Sequence, residues 1–333
     1  MADTFKALVL RQEGDKVRNA IEELQIGDLP EGDVLVAVEY SSLNYKDAMA
    51  VTGAGKIVRE YPMVPGIDLA GTVLESKSPF YKAGDKVVLT GWSVGERYWG
   101  GYTQRARVNS NWLVPLPEGL DTHHAMAIGT AGFTAMLCVM TLEEAGIKPG
   151  SGAILVTGAA GGVGSVAVAV LSGMGYRVAA LTAPGQEDTH EYLQDLGATD
   201  FVSGPEWAET PRPLETQRWA GAIDTVGGNV LARVLAEMNY GGCVANCGLA
   251  GSTKLPTTVM PFILRAVSLR GVDSVMCPLP RRKAAWSRLV RDLPAEKLEK
   301  ITPGIISLAD VPRYATELLA GNVRGRIVVG VRA

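Results

Sequence analysis

Histidine is scarce in this chain, with only His123, His124 and His190 among 333 residues. Cysteine is nearly as scarce: Cys138, Cys243, Cys247 and Cys277 are scattered and form no paired framework. A catalytic zinc needs about three protein ligands from Cys, His or carboxylates, and the early segment Ser42-Leu43-Asn44-Tyr45-Lys46-Asp47 has no Cys to offer one. A closely spaced four-cysteine structural loop is missing as well. We therefore assign no metal. Cys243 and Cys247 are expected together on a buried strand, as free thiols of a reducing compartment. His123 and His124 are expected at a helix start, and His190 on a surface helix.

Other shortages narrow the class further. The first residues, MADTFKALVLRQEGDK, lack a long apolar core, so no signal peptide is expected. No apolar run is read as reaching the ~18 residues of a membrane span, and the small-residue tract from Ala153 to Met174 is interrupted by glycines. A net charge of -3 without a basic stripe gives no reason to expect nucleic acid. The expectation is a cytoplasmic protein with no membrane and no nucleic-acid partner.

What the chain does have is length for two domains and a change of pattern between them. The first third is β-rich. Val34, Val36, Val38 and Tyr40 alternate with Leu35, Ala37 and Glu39, as in a half-buried strand. Further short strands are expected at Ala70–Glu75, Asp85–Thr90 and Thr103–Val108, separated by Gly and Pro turns, which suggests a partly open barrel. Asp121 or Thr122 is placed to cap a helix running towards Met140. From Ala153 strands and helices alternate, the signature of βαβ units and a parallel sheet. Helices near Pro280–Arg291 and Val311–Leu319 and a strand Arg326–Val331 are expected to return to the first domain.

The segment Ile154 to Gly164, ILVTGAAGGVG, is the most informative. An apolar strand enters a glycine-rich turn that opens a helix of small residues, the arrangement that lays a dinucleotide's pyrophosphate on a helix N-terminus. Gly161 permits close backbone approach and Gly164 close packing of helix on strand, while Ala159 stands at the usual first glycine of that pattern. The strand–turn–helix context favours a ligand over an empty βα turn. The second strand ends Leu181-Thr182-Ala183-Pro184, with no acid until Glu187 to hold a ribose 2′-hydroxyl. That favours NADPH over NADH, with Thr182 a possible donor to the 2′-phosphate. No Arg sits there, and Arg177 lies at the strand's other end.

The segments SLNYKDAM (42–49), YPMVPGIDLAGTV (61–73), WGGYTQRARV (99–108), VTGAAGGVGS (156–165) and LPTTVMPFILRAVSLRGVDSVM (255–276) resemble the zinc-free, quinone-oxidoreductase-like branch of the medium-chain dehydrogenase/reductase superfamily, and within it the acrylyl-CoA reductase (NADPH) group. The resemblance spans essentially the whole chain. It implies an α/β fold: a GroES-like β-barrel domain (1–124 and 273–333, discontinuous) and a Rossmann-type, doubly wound dinucleotide-binding domain (125–272), with the site in the cleft between them. It implies NADPH-dependent reduction of the conjugated C=C of acryloyl-CoA to propanoyl-CoA, an enoyl-CoA thioester substrate and a homodimer. Carried over position by position, cofactor contacts fall on Tyr45, Ala160, Gly161, Gly162, Val163, Thr182, Ala183, Pro184, Leu249, Ile263, Ser274 and Asn322. Pro184 stands where relatives commonly carry an Arg. Tyr45 is the candidate catalytic donor, as hydrogen-bond partner of the developing enolate or as proton source. It equally fits a packing role against the nicotinamide. Asn44 is the second catalytic candidate, orienting Tyr45 or the cofactor amide. Asp68 is expected to be structural and Arg326 a surface residue on a loop. Arg265, Arg270, Arg281 and Arg282 are open to contact a CoA tail, the last two equally to be a solvated helix start. Two alternatives stay open: a general quinone or alkenal reductase of the same architecture, and a non-catalytic NADPH-binding protein.

Overall fold

The computed structural model describes residues 4–333, and the chain divides into two compact units. The first runs to Thr130 and adds Val275–Pro278 and Thr302–Ala333; the second comprises Ala131–Ser274 and Leu279–Ile301.

The first unit begins with an antiparallel hairpin, β1 (Thr4–Glu13) and β2 (Lys16–Gln25). Then come β3 (Val34–Leu43), helix α1 (Tyr45–Thr52), β4 (Asp68–Ser76), β5 (Lys86–Thr90), β6 (Arg105–Val108) and β7 (Val114–Pro115). Strand β3 is the hub: it pairs with β4 and β6, and with the C-terminal strand described below. Its first five residues are all buried, not half-buried as their alternation suggests. Val34, Val36 and Val38 face the main core, while Leu35 joins Phe5, Ala7 and Val9 of β1 in a second cluster. The hairpin thus covers the face that a single-layer reading leaves to solvent.

Helix α2 (Thr122–Glu144) carries the chain from the first unit into the second. By length and composition it is apolar enough to cross a membrane, contrary to the expectation that no such run exists. Its most apolar window is 89% buried, which marks the core helix of a folded protein. Gly129 (φ 50°, ψ -160°) breaks the helix.

In the second unit β8 (Ala153–Thr157), α3 (Gly162–Gly173), β9 (Arg177–Leu181), α4 (His190–Leu196) and β10 (Asp200–Val202) are followed by β11 (Trp219–Asp224), α5 (Gly228–Glu237), β12 (Met238–Asn246), α6 (Met260–Arg265) and β13 (Ser268–Gly271). The strands form one parallel sheet in the order β10-β9-β8-β11-β12-β13. Counted from β8 this is 3-2-1-4-5-6, the doubly wound order. The topological switch falls between β8 and β11, and in such sheets ligands bind beyond the strands' carboxyl ends at that point. Cys243 lies on β12, but Cys247 follows the strand's end and is only half-buried, so the two do not share the strand.

Helices α7 (Leu279–Asp292) and α8 (Ala295–Ile301) belong to the second unit, which corrects the expected return of the chain after residue 272. The reason is an apolar face on α7: Trp286 stacks on Phe133 of α2 at 6.2 Å between centroids, and Arg282 lies 4.7 Å over the same ring. Only β14 (Ile305–Ser307), α9 (Val311–Leu319) and β15 (Ile327–Gly330) rejoin the first unit, where β15 pairs antiparallel with β3.

Candidate dinucleotide site and a buried polar network

The turn from β8 to α3 is built as its residues require. Gly164 lies so close to Gly158 and Ala159 that any Cβ would enter their backbone. Gly161 is the N-cap of α3, and a Cβ there would meet only Gly158 O, at 3.3 Å. The carbonyl of Gly161 accepts the first intrahelical bond, from Ser165 N at 2.9 Å, so the amides of Gly162 and Val163 precede the helical ladder. Ala160 is buried, while Gly161, Gly162 and Val163 are half-exposed. Open space, free amides and a helix dipole fit the diphosphate of a dinucleotide.

Beneath the turn lies a group that sequence patterning missed. Asp224, at the end of β11, is fully buried; it accepts from Thr157 Oγ1 (2.8 Å), Gly227 N (2.9 Å) and Asn246 Nδ2 (2.8 Å). Burial pushes its carboxyl up from the usual range and these donors pull it back. Thr225 Oγ1 in turn donates to Thr157 O at 2.9 Å. The group ties the carboxyl ends of β8, β11 and β12 together beside the switch point. The only sequence signal was an acid closing an apolar strand.

Most of the remaining cofactor candidates of this unit sit on its surface. Thr182 is buried just beyond β9, whereas Ala183 and Pro184 are exposed. Leu249 and Ile263 are 59% and 72% exposed, unusual for large apolar side chains. Ser274 O accepts from Arg282 at 3.0 Å. Arg282 is wholly buried, so it is not the solvated helix start the sequence suggested. Arg265 is spent on the carbonyls of Glu215, Ala236 and Met238, and Arg281 pairs with Glu144.

In the first unit Tyr45 is the opening residue of α1 and is 43% exposed. Asn44 is its N-cap and is buried, making a capping box with Asp47. Behind them runs a polar network. Asp47 Oδ2 accepts from Asn44 N (3.0 Å) and Asn44 Nδ2 (3.1 Å), and its Oδ1 accepts from Ile67 N (2.9 Å). Asp68 accepts from Ser42 Oγ (2.6 Å), Asn44 Nδ2 (2.9 Å) and both the amide and the hydroxyl of Thr130 (2.9 and 2.5 Å).

Arg326 completes the network at 2% exposure, which overturns its expected place on a surface loop. Its Nε donates to Ala127 O (3.0 Å), its Nη1 to Asn44 Oδ1 (3.0 Å), and Nη2 lies 4.0 Å from Asp68. Burial, then the neighbouring Asp68 charge, pushes the Asp47 carboxyl up to about 7. Asn322 lies apart from this network, exposed just beyond α9 and bonded to Glu317.

Among the described residues, Asp121, His123 and His124 bring three ligand atoms within 4.8 Å of one another. Asp121 Oδ1 is already engaged, accepting from the backbone N of His124 at 2.7 Å as the cap of α2.

Two family models match: the alcohol dehydrogenase GroES-like domain over residues 30–118 and the zinc-binding dehydrogenase model over 162–291. The chain is 57% identical to the acrylyl-CoA reductase AcuI of Ruegeria pomeroyi, covering 99% of this chain and 100% of that one. The chain belongs to the medium-chain dehydrogenase/reductase family. Its place is the quinone-oxidoreductase-like branch, beside the acrylyl-CoA reductases. The Salmonella enterica YhdH oxidoreductase in complex with NADP superposes with a TM-score of 0.95 at 58% identity, covering 98% of this chain and 99% of that one. The Bacillus subtilis protein YhfP with NAD bound follows at 0.94 and 43%, with the same coverage. Family membership fits the GroES-like first unit and the doubly wound second one.

Proposed function

We propose that this medium-chain reductase uses NADPH to reduce the conjugated double bond of acryloyl-CoA to propanoyl-CoA. The full-length similarity to the R. pomeroyi acrylyl-CoA reductase carries the reading. The glycine turn opening α3 supports it from the chain's own geometry.

Bound NADPH supplies the hydride that the β-carbon receives. The protein's part is to hold, orient and donate. Amides at Gly162 and Val163 grip the diphosphate. Thr182, Ala183 and Pro184 line the adenosine end, with Leu249, Ile263, Ser274 and Asn322 as further contacts. As the β-carbon is reduced, negative charge moves to the thioester oxygen, and a donor aimed there lowers the barrier. Tyr45 is that donor or the source of the α-carbon proton. Its exposed position at the start of α1 leaves the hydroxyl accessible, and Asn44 fixes the turn from which it projects. The enzyme works in the cytoplasm, where its four free thiols stay reduced, and as a homodimer.

Steady-state assays with acryloyl-CoA, crotonyl-CoA and 1,4-benzoquinone test the substrate. Acryloyl-CoA is expected to give the highest kcat/KM, with NADPH preferred over NADH by about tenfold or more, equivalent to about 1.4 kcal/mol. Fast quinone turnover with none on acryloyl-CoA would sink the proposal. Tyr45→Phe is expected to lower kcat by about 10²-fold, in the range of a lost acid–base or oxyanion donor. Unchanged kcat and kcat/KM would reduce Tyr45 to a packing residue.

A further inference from the structure

The 2′-phosphate of NADPH needs a partner, and the segment after β9 has an unusual shortage of cations. Between Arg177 and Arg212 the sequence contains no Lys or Arg. Arg177 itself is at the opposite end of β9, forked onto Asp200 at 2.9 and 2.8 Å. One side chain in this stretch can offer a phosphate an imidazole N–H, and it is His190.

The structure brings His190 to the end of β9. Thr182 follows the strand directly, is 3% exposed, and is anchored by its amide to Val202 O at 3.2 Å. Its Oγ1 lies 3.1 Å from Nε2 of His190. The imidazole stacks on Phe201 of β10, with centroids 4.4 Å apart and planes 21° from parallel. Two contacts therefore fix the ring: a hydrogen bond at one nitrogen and an aromatic face. In the tautomer whose Nε2 accepts from the Thr182 hydroxyl, the ring proton sits on Nδ1, where an anion can take it as a hydrogen bond. The ring is only half-buried, so a ligand can reach it. The nearby acid Glu187 accepts from Gly185 N at 3.3 Å, and its carboxyl is held low by the loop's own amides.

We propose that His190, oriented by Thr182 and Phe201, is the residue that recognises the 2′-phosphate and sets the preference for NADPH over NADH in this chain. The proposal rests on the NADPH reading above and adds the residue that makes the choice. In doubly wound folds the ribose of the adenosine lies at the end of the second strand, where an acid selects NAD and a cation nearby accommodates the phosphate. Here the acid is absent and the cation's place is taken by a pinned imidazole.

Calorimetric titration of the full-length protein with adenosine 2′,5′-bisphosphate and with 5′-AMP isolates the one phosphate in question. Wild type is expected to bind the bisphosphate about tenfold tighter, the order of one charge-assisted hydrogen bond. In His190→Ala that ratio is expected to fall below about twofold, with 5′-AMP affinity unchanged as evidence that the site is folded. His190→Gln, which keeps a side-chain N–H, is expected to fall between. In turnover, KM for NADPH rises in His190→Ala while KM for NADH stays. A wild-type ratio retained in His190→Ala overturns the assignment, and so does an equal loss for both ligands. A wild-type ratio near one would instead overturn the NADPH reading itself.

Discussion

Asp47 and Arg326 are ionisable residues that the fold buries side by side with Asp68. Asp47 is buried, bonded to the N-cap of α1 and raised from 3.8 to about 7. Its charged form is disfavoured in the fold, so the folded chain holds more protons than the unfolded chain between those values. The stabilisation is complete below about 3.8 and is lost as pH rises through about 7. We expect Asp47→Asn to be less stable than wild type at pH 5, by a margin that narrows towards pH 8, measured by urea unfolding across that range. A constant margin would refute the raised carboxyl. Arg326 balances two buried acids, so Arg326→Met leaves them uncompensated. A loss of about 3–5 kcal/mol is expected, the usual consequence of breaking a buried ion pair from one side. A midpoint within error of wild type would place the guanidinium outside the energetics of the fold.

At the scale of elements, α2 and α1 meet the same network from two sides. Helix α2 breaks at Gly129, where only glycine fits, since a Cβ there would lie 2.5 Å from Arg326 Nη2, 2.7 Å from Asp68 Oδ2 and 2.9 Å from Ser42 Oγ. The positive φ adds strain for any other residue. Gly129→Ala should therefore cost about 3 kcal/mol or more, combining strain with damage to a buried polar network. Thermal melts compared with Ala131→Gly, a change without that clash, provide the check; similar shifts in the two variants would be evidence against it. At the break the Thr130 amide and hydroxyl turn onto Asp68, so the interruption at Gly129 coincides with the satisfaction of a buried carboxylate. Helix α1 is capped by Asn44 and Asp47, and the same two side chains bind the network that holds its first residue, Tyr45.

For the whole molecule, the sheet of the second unit ends on β13, which among the described residues pairs only with β12. An unpaired strand edge invites pairing with a second copy. Light scattering should return about twice the 35.2 kDa chain mass. The Val272 amide bonds inward to Asn246 O, so the Gly271 amide faces the open edge, and Gly271→Pro, which removes that donor, should shift the mass towards the monomer. A wild-type mass near 35 kDa at micromolar concentration would end the dimer proposal. The order of the sheet also explains why the glycine turn is placed to bind. β8 lies at the centre with its neighbours running outward on both sides, so the turn opens into the gap where the chain reverses its direction of winding.

Sequence by itself determined the parallel sheet, the glycine turn and the course of most strands and helices, because these follow from local periodicity and from glycines that only a tight turn requires. It also marked Asn44, as a residue to orient Tyr45 or the cofactor amide, but not the capping box that Asn44 makes with Asp47. It did not disclose that Leu35 is covered, that Arg282 and Arg326 are buried, or that α7 packs with the second unit. Each of those depends on what a distant segment brings: the β1 hairpin over β3, Phe133 under Arg282, and Asp68 beside Arg326. His190 shows the limit most clearly. Its histidine was visible at once, but its place beside Thr182 and Phe201 exists only after β9, α4 and β10 have packed, since nothing local in a chain fixes which side chains a neighbouring strand will present.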